Sequence, residues 1–333
     1  MEDYFSFVIP VYNRPDEIQE LLNSFIHLDY NKPFEVVIVE DGSTIPCEAI
    51  VAHFKEQLNI SYFFKSNSGP GDSRNFGMKK AKGTYFIILD SDCLLPPHYL
   101  NVISNFLSEN YTECFGGADA AHQSFSNFQK AISYVMTSFW TTGGIRGSRN
   151  AVQKFEPRSF NMGLSKKAFE VTGGFSDIHP GEDPDLSQRI LKAGFKTCFV
   201  PNAYVYHKRR ISWGKFYKQV QKFGKVRPIL NQWHPESSKV TFWFPSMFIV
   251  FVLVSMIVGA FISPYALIPI GFYMTVLFLD CTFKNKNPYI GLLSIVAMFV
   301  QFFGYGFAFI RSWYNIQLLN KNPRQQYPEL FFK

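Results

Sequence analysis

Two long stretches without a charged residue constrain the fold of this 333-residue chain more than any other feature. The first runs from Val240 to Leu279 and the second from Asn287 to Ile310. A membrane-spanning helix needs about 20 consecutive apolar residues. The first stretch can hold two such helices and the second can hold one more, so the sequence predicts three transmembrane helices. Two crossings with an interfacial segment, or a set of buried core helices, are the alternatives.

The rest of the chain shows a different pattern, in which strand-like and helix-like segments alternate. Alternation of this kind favours right-handed βαβ units around a mostly parallel sheet. We therefore predict an α/β catalytic domain over residues 1–210, with helices flanking its sheet, followed by an all-α membrane region. A basic segment over 211–239, transmembrane helices within 240–312 and a polar tail over 313–333 complete the expected domain order.

The basic segment bears on the location of the protein, whose net charge is +7. Glu236 is its only acid, and a helix there would separate lysines from apolar side chains. The lysines are Lys215, Lys218, Lys222 and Lys225, and the apolar residues are Phe216, Val220 and Phe223. Such a helix suits an anionic surface of membrane lipids. By the positive-inside rule, we expect an integral protein of the cell (inner) membrane with a cytoplasmic catalytic domain. No nucleic-acid-binding motif accompanies the charges, so we expect no nucleic-acid partner.

Two aspartates follow a continuous apolar run in "FIILDSD", a pattern typical of a buried strand. Asp41 follows another such run. Ligands of parallel sheets lie at the carboxyl ends of the strands, so we expect Asp41, Asp90 and Asp92 on one edge. Neighbouring carboxylates repel unless a cation lies between them, and their oxygens suit Mg²⁺ or Mn²⁺. We predict a metal site at Asp90 and Asp92, with a solvated turn as the alternative. His207 is either a further metal ligand or a core histidine.

Other cofactors and metals find no support in the sequence. It contains neither a GxGxxG fingerprint nor a P-loop motif. Its five cysteines are scattered without a CxxC pair, which argues against a disulfide framework or a zinc site. "SGPGDSRNFG" either cradles a phosphate at a helix N-terminus, with Arg74 as a donor, or is a plain turn into a helix. Glu182 and Asp183 open a later helix, where they either cap it or supply a general base.

Six short motifs resemble those of the inverting family 2 glycosyltransferases of the GT-A fold. They are "VIPVYNR" (8–14), "VVIVEDGS" (36–43), "GDSRNFG" (71–77), "DSD" (90–92), "GGF" (173–175) and "GED" (181–183), in the family's order. The resemblance covers residues 4 to about 210. It implies a GT-A domain that transfers a sugar, with inversion at the anomeric carbon, from a nucleotide diphosphate sugar that we expect to be a UDP-sugar.

The resemblance also implies roles for the residues that match these motifs. Donor-nucleotide binding is implied for Pro10, Tyr12, Asp41, Arg74 and Asp90, donor-sugar binding for Gly173 and Gly174, and catalysis for Glu182 and Asp183. Asp90 and Asp92, with His207 as the further candidate, would hold Mg²⁺ or Mn²⁺ on the diphosphate. Asp183 would be the catalytic base. We expect the acceptor to be a lipid-linked or membrane-proximal glycan.

Two further segments bear on the acceptor. "TTGGIRGSRN" places Arg146 and Arg149 in a glycine-rich loop, which we interpret either as a lid that grips an acceptor phosphate or as an ordinary surface loop. "QVQKF" (219–223) stands where membrane-bound polymer synthases of the family carry QxxRW. This departure favours addition of a single sugar over the alternative of a processive polysaccharide synthase. A non-catalytic membrane scaffold that binds a nucleotide sugar is the remaining alternative, although a scaffold would have no need of a base.

Overall fold

The computed structural model describes residues 4–120, 125–143, 156–207 and 212–332, and the chain forms two compact units. The sheet unit comprises Met1–Ala120, Gln153–Lys208 and Phe331–Lys333, and the helical unit comprises Ala121–Val152 and Arg209–Leu330. This division differs from the domain boundaries expected from the sequence. A segment from within residues 1–210 groups with the C-terminal helices, and the last residues of the expected tail group with the sheet.

Strands and helices alternate through the sheet unit, as the sequence predicts. The strands are β1 (Phe5–Val11), β2 (Glu35–Asp41), β3 (Ile60–Lys65), β4 (Tyr85–Leu89), β5 (Cys93–Leu94), β6 (Cys114–Ala120), β7 (Asn161–Ser165) and β8 (Thr197–His207). The helices of both units are α1 (Pro15–Ile26), α2 (Glu48–Phe54), α3 (Pro70–Lys80), α4 (Tyr99–Glu109), α5 (Asn127–Thr137), α6 (Phe139–Thr142), α7 (Lys166–Thr172), α8 (Glu182–Lys192), α9 (Trp213–Trp233), α10 (Phe244–Phe261), α11 (Ile268–Asn285), α12 (Pro288–Trp313) and α13 (Pro323–Gln326).

These strands form one mixed sheet in the order β3-β2-β1-β4-β7-β6-β8-β5. The neighbours β3, β2, β1 and β4 pair in parallel, whereas β7 pairs antiparallel with both β4 and β6. One parallel part therefore contains the first four long strands of the chain, and β6 and β8 form a further parallel pair. β2 and β4 are buried along their whole length, which explains their unbroken apolar runs.

Helices cover both faces of the sheet and bury an apolar layer on each. On α1 the buried residues Ile18, Leu21, Leu22 and Phe25 recur at helical spacing, as predicted, and pack with side chains of α2 and α4 on one face. Side chains of α3, α7 and α8 form the layer on the other face, where Met78 is one of the buried residues. Burying one such side chain stabilises the fold by about 1.5–3 kcal/mol, so the two layers hold the strand ends in fixed positions.

The helical unit joins α5 and α6 to the helices that follow residue 211. α5 buries Ala131, Ile132 and Val135 in the same apolar cluster as side chains of α10, α11 and α12. The hydroxyl of Tyr134 donates to Oδ2 of Asp280 on α11 over 2.6 Å. These contacts explain why residues 121–152 group with the C-terminal helices although they lie between two strands of the sheet in the sequence.

Three described helical segments are long and apolar enough to cross a membrane, as predicted. They are Val240–Phe261, Pro264–Asn285 and Pro288–Leu318. Large apolar side chains lie at the surface of these helices, and Phe272 and Phe283 are 70% and 75% exposed. Apolar surface of this extent is suited to lipid and not to water.

α9 is the amphipathic helix expected in the basic segment, but its apolar face does not lie at the surface. Phe216 and Val220 are buried in the apolar cluster of the helical unit. Nζ of Lys225 pairs with Oε1 of Glu329 at 2.8 Å. The exposed lysines of the helix are Lys215, Lys218 and Lys222. The apolar face therefore serves packing within the unit, and only the lysines remain for an anionic surface.

Candidate active site

The carboxyl ends of β1, β2 and β4 lie at one edge of the sheet, because the three strands are parallel neighbours. Asp41 is the last residue of β2, and Asp90 follows the last residue of β4. Pro10 lies near the end of β1, opposite Val39 of β2. Asp41 and Asp90 thus lie at one edge, as the sequence predicts for them. The two core layers hold these strand ends in place, so the acidic groups are fixed by the fold.

Arg74 on α3 connects two acidic residues that lie far apart in the sequence. Its Nη1 lies 3.0 Å from Oε1 of Glu182, and its Nη2 lies 2.7 Å from Oδ1 of Asp90. The guanidinium is buried and lies over the ring of Phe175, 5.2 Å from its centroid. Burial opposes the charge of Arg74, but Asp90, Glu182 and Asp183 outweigh it and raise the pKa. The cation is therefore permanent and fixes Glu182 relative to the end of β4.

Glu182 and Asp183 are adjacent carboxylates whose surroundings shift their pKa values in opposite directions. Burial opposes ionisation of Glu182, but its partners His179, at 2.9 Å, and Arg74 lower its pKa to about 2. Burial and the charge of Glu182 raise the pKa of Asp183 to about 6, against the opposing influence of Arg74 and Arg158. Glu182 is thus held as an anion, whereas Asp183 can exchange a proton near neutral pH.

The carboxylate of Asp183 is also open to an additional partner. The Ser159 side chain supplies one hydrogen bond to it. Its Oδ1 is buried and has no hydrogen-bond partner among the residues that the structure describes. A buried oxygen without a partner is costly in a folded protein, so an exception of this kind points to a ligand or a reaction. The geometry suits a base that accepts a proton from a bound hydroxyl group.

Asp92 faces a second group of side chains, formed by the end of β8 and the loop after β1. Its Oδ1 lies 3.1 Å from Nε2 of His207, and its Oδ2 lies 3.7 Å from Nη1 of Arg14. His207 stacks on Phe160 with 4.9 Å between ring centroids, and its Nδ1 lies 3.9 Å from Oδ2 of Asp119. The carboxylate of Asp119 lies near the outer nitrogen of the ring but beyond hydrogen-bond distance. The arrangement therefore fits a divalent cation between Asp92 and His207.

Within the described residues, the ligand atoms that lie within 4.8 Å of one another are those of Asp92, Cys93 and His207. Burial, together with the charges of Asp92 and Asp90, raises the pKa of the Cys93 thiol well above its ordinary value. A protonated, soft sulfur is a poor ligand for Mg²⁺ or Mn²⁺, which leaves Asp92 and His207. The expected third ligand, Asp90, has one oxygen on Arg74 and is outside this group, although its side chain remains 32% exposed.

Asp41, expected on the nucleotide side, organises the loop between β3 and α3. Its Oδ1 accepts from Nζ of Lys65 at 2.8 Å and from the backbone N–H of Ser68 at 2.9 Å. Its Oδ2 accepts from the backbone N–H of Gly69 at 2.9 Å. The carboxylate therefore fixes the loop that leads into Arg74. A role in nucleotide binding is not tested by these contacts and stays a prediction.

Gly173 and Gly174, expected beside the donor sugar, have conformations that the turn itself requires. Both have positive φ angles, 73° and 77°, and Gly173 ends α7. A Cβ at Gly174 would lie 2.1 Å from Oδ1 of Asn75, which accepts a hydrogen bond from the N–H of Phe175. The glycines thus let this turn approach α3 and place Phe175 under Arg74. Contact with a sugar stays a prediction.

The remaining predicted site residues are Tyr12, Arg146 and Arg149. Tyr12 follows the end of β1 and is 52% exposed, so its ring is accessible to a ligand. Arg146 and Arg149 lie outside the described residues. The acceptor role that the sequence assigned to them therefore stays a prediction.

Several residues of the site were not identified from the sequence. His179 pairs with Glu182, Arg14 and Asp119 flank the side chains of Asp92 and His207, and Ser159 bonds to Asp183. His179 stands three residues before Glu182, a local spacing that could have signalled the contact. Arg14 is the last residue of the "VIPVYNR" motif. Nothing local in the sequence indicates Asp119 or Ser159, because the fold brings them to the site from distant segments.

Sequence comparisons relate this chain to known proteins. Residues 6–171 match the sequence model of the family described as "Glycosyl transferase family 2". An uncharacterized glycosyltransferase of Rickettsia felis (strain ATCC VR-1525 / URRWXCal2) is 34% identical over 136 residues, which cover 41% of this chain and 22% of that protein. The poly(ribitol-phosphate) beta-N-acetylglucosaminyltransferase TarS of Staphylococcus aureus (strain Mu50 / ATCC 700699) is 36% identical over 112 residues, which cover 33% of this chain and 20% of TarS. The chain thus matches about a fifth of the length of these relatives.

Among solved structures, the mannosyltransferase PcManGT from Pyrobaculum calidifontis, in complex with GDP-Man and Mn²⁺, has a TM-score of 0.58. It is 16% identical and covers 97% of this chain and 89% of its own, a likeness that shows the fold. The chain has a GT-A-type sheet and, among the described residues, three long apolar helices. It belongs to glycosyl transferase family 2, whose match begins in β1 and ends in α7.

Proposed function

We propose that this glycosyltransferase is a membrane-anchored, inverting enzyme that depends on Mg²⁺ or Mn²⁺. In this proposal it transfers a single sugar from a nucleotide diphosphate sugar, for which we take a UDP-sugar, to a lipid-linked or membrane-proximal glycan. The observation that carries the proposal is the state of Asp183. Its buried Oδ1 has no partner among the described residues, and its pKa is raised to about 6, next to a glutamate held as an anion.

Asp183 would act as the general base of a single displacement. Its Oδ1 takes the proton of an acceptor hydroxyl while the acceptor oxygen forms a bond to the anomeric carbon of the donor sugar. The bond from that carbon to the diphosphate oxygen breaks, and the leaving nucleoside diphosphate keeps the electron pair. Attack opposite the leaving group inverts the anomeric carbon through an oxocarbenium-like transition state. A positioned base of this kind contributes about 10²–10⁴-fold to the rate.

Asp92 and His207 would hold the divalent cation, with Asp90 completing the set as the sequence motif suggests. When bound, such a cation supplies positive charge that stabilises the departing diphosphate. Asp119 would place a negative charge behind His207, and Phe160 would hold the ring in its plane. The Mn²⁺ in the PcManGT complex supports a divalent metal in proteins of this fold.

The other residues have supporting roles in this proposal. Pro10, Tyr12 and Asp41 line the nucleotide pocket at the strand ends, and Arg74 places Glu182 and Asp90 around the diphosphate and the sugar. Gly173 and Gly174 shape the wall beside the sugar. GDP-Man in PcManGT and the N-acetylglucosaminyl group in the name of TarS support a nucleotide-sugar donor.

The acceptor and the location rest on the apolar helices and the basic segment. Helices suited to lipid place the enzyme beside lipid-linked substrates, and Arg146 and Arg149 would grip an acceptor phosphate. The exposed lysines of α9 favour the cytoplasmic face of the membrane, where anionic lipids and nucleotide sugars are found.

A donor screen tests the proposal. The purified full chain in lipid nanodiscs is incubated with UDP-GlcNAc, UDP-glucose and GDP-mannose, with Mn²⁺, Mg²⁺ or a chelator, and nucleoside diphosphate release is measured. We expect release from a UDP-sugar that needs the metal and falls by about 10²–10⁴-fold in Asp183→Asn. Metal-independent release, or an unchanged rate in Asp183→Asn, would contradict the proposed chemistry. Tight donor binding without any turnover, with or without an added polyprenyl-phosphate sugar, would favour the scaffold.

A further inference from the structure

Two residues that follow the helical unit, Phe331 and Phe332, belong to the sheet unit. We call them the clasp. Phe331 forms an antiparallel bridge with Ile178, and the N–H of Phe332 donates to the carbonyl of Asp177 over 3.0 Å. The clasp thus adds an extended segment to the loop that precedes α8. These backbone bonds fix the position of the Phe332 side chain.

The ring of Phe332 covers the backbone at Gly69. A Cβ at Gly69 would lie 2.4 Å from ring atoms of Phe332, so only a glycine allows the ring to come this close. The φ angle of Gly69 is +91°, which also favours glycine. On another side, the ring of His179 lies 6.0 Å from that of Phe332, between centroids. One aromatic side chain therefore contacts both the turn before α3 and the loop before α8.

These two contacted backbone positions lead directly to the candidate active site. The N–H of Gly69 donates to Asp41, and the next residues begin the helix that carries Arg74. Nδ1 of His179 lies 2.9 Å from Oε1 of Glu182, the neighbour of the proposed base. The Phe332 ring thus lies between Gly69, which bonds to Asp41, and His179, which pairs with Glu182.

The segment that precedes the clasp is itself held in the helical unit. Tyr327 and Leu330 are buried, and Glu329 pairs with Lys225 of α9 at 2.8 Å. Nζ of Lys225 also lies 5.8 Å from the ring centroid of Tyr327. The residues immediately before the clasp are thus fixed by burial and by an ion pair.

We propose that Phe332 is a positioning residue for donor binding. It holds the turn at Gly69 and the loop at His179 in the arrangement that presents Asp41, Arg74 and Glu182 to a nucleotide diphosphate sugar. This inference rests on the proposed function. It adds a requirement that the matched family region, residues 6–171, does not contain: the donor site is complete only when the residues after the last apolar helix are in place.

Phe332→Ala and a chain stopped after Leu330 test the role of the clasp, with Phe332→Tyr as the conservative variant. Tyr111→Ala, which removes an exposed aromatic ring of the sheet unit, is the matched control. We expect Phe332→Ala and the shortened chain to raise the donor KM and the Kd of UDP by about tenfold, the upper range for lost aromatic packing, with a smaller change in kcat. Phe332→Tyr and Tyr111→Ala should stay within about twofold of the unaltered chain.

Hydrogen exchange separates failure of this inference from failure of the proposed function. In Phe332→Ala the amides of Gly69 and of residues 177–179 should exchange faster, while those of β1 and β4 should not change. If exchange at these amides and donor affinity are both unchanged in Phe332→Ala and in the shortened chain, the positioning role is wrong. If exchange increases but no nucleotide sugar binds to the unaltered chain, the contact is real and the proposed function is wrong. A fall in kcat alone, with KM and Kd unchanged, would also overturn a role in donor binding.

Discussion

The raised pKa of Asp183 predicts a particular pH profile for the transfer reaction. A base must be ionised before it can accept a proton, so the rate should rise with pH through the pKa of about 6. At pH 7 about nine-tenths of the enzyme would hold an ionised Asp183, and at pH 5 about one-tenth. We therefore expect kcat/KM to fall by about tenfold between pH 7 and pH 5, with the slope of a single ionisation. Asp183→Asn should lower the rate by about 10²–10⁴-fold and remove this limb of the profile.

Two neighbouring substitutions make the prediction sharper, because they should move the midpoint in opposite directions. Glu182→Gln removes a negative charge that raises the pKa of Asp183, so the midpoint should move to lower pH. Arg158→Gln removes a positive charge that lowers it, so the midpoint should move to higher pH. Initial rates of nucleoside diphosphate release, measured in one series of overlapping buffers at saturating metal, supply the profiles. Midpoints that coincide in all three proteins, or that move in the reverse order, would refute the assignment of the limb to Asp183.

Three further predictions concern the metal, a turn and the membrane. Asp92→Asn should weaken Mn²⁺ binding, measured by calorimetry with UDP present, and the rate should recover only at higher metal concentration; equal affinity in both proteins would count against Asp92 as a ligand. Gly174→Ala should destabilise the sheet unit by about 1–3 kcal/mol, seen as a lower Tm, since a Cβ there meets Asn75 at φ +77°; an unchanged Tm would refute the steric argument. Tags placed before Met1 and after Lys333 should be accessible from the same face of sealed vesicles, and tags on opposite faces would exclude the clasp.

The sheet could be predicted from the sequence because the relevant signals are local. β4 is a run of apolar residues long enough for one strand and bounded by polar residues, and it is buried throughout. α1 shows its buried stripe directly in the spacing of its apolar residues. The end of α7 is marked by Gly173, which adopts the positive φ that terminates a helix there. These strand, helix and turn signals depend on residues that are close in the sequence. They can therefore be recognised before the fold is known.

The candidate site was predictable only in part, because its electrostatics depend on distant residues. The motif containing Glu182 and Asp183 could be found from the sequence, but their opposite pKa shifts could not. Glu182 is held as an anion by Arg74, which is 108 residues away in the chain, and by His179. Asp183 lacks such a partner for its Oδ1 among the described residues. The sequence could not assign α5 to the helical unit for the same reason. The apolar face of α5 shows that the helix packs against something, but not which other helices it packs against.

Contacts within the helical unit also bear on the number of membrane crossings, for which the sequence favoured three. α12 begins directly after α11 ends, and Gly291 of α12 lies beside Thr282 near the end of α11. Further along α12, the carbonyl of Gly306 accepts from Oγ of Ser246, near the start of α10, over 3.1 Å. If α10 and α11 each cross the membrane once, the start of α10 and the end of α11 lie at the same face.

The rest of α12 packs against α9. α12 runs in the same direction as α9, since Gly304 lies beside Val220 and Oγ of Ser312 donates to the carbonyl of Lys225. Both the beginning and the later half of α12 would then lie at the face where α10 starts, and we propose that α12 runs along the membrane surface, although its length and composition also suit a crossing. Two crossings are an even number, which returns the chain to the side on which it entered. An even number would let Phe332 reach the carbonyl of Asp177, so the clasp and the packing of α12 both support our proposal of a hairpin of α10 and α11.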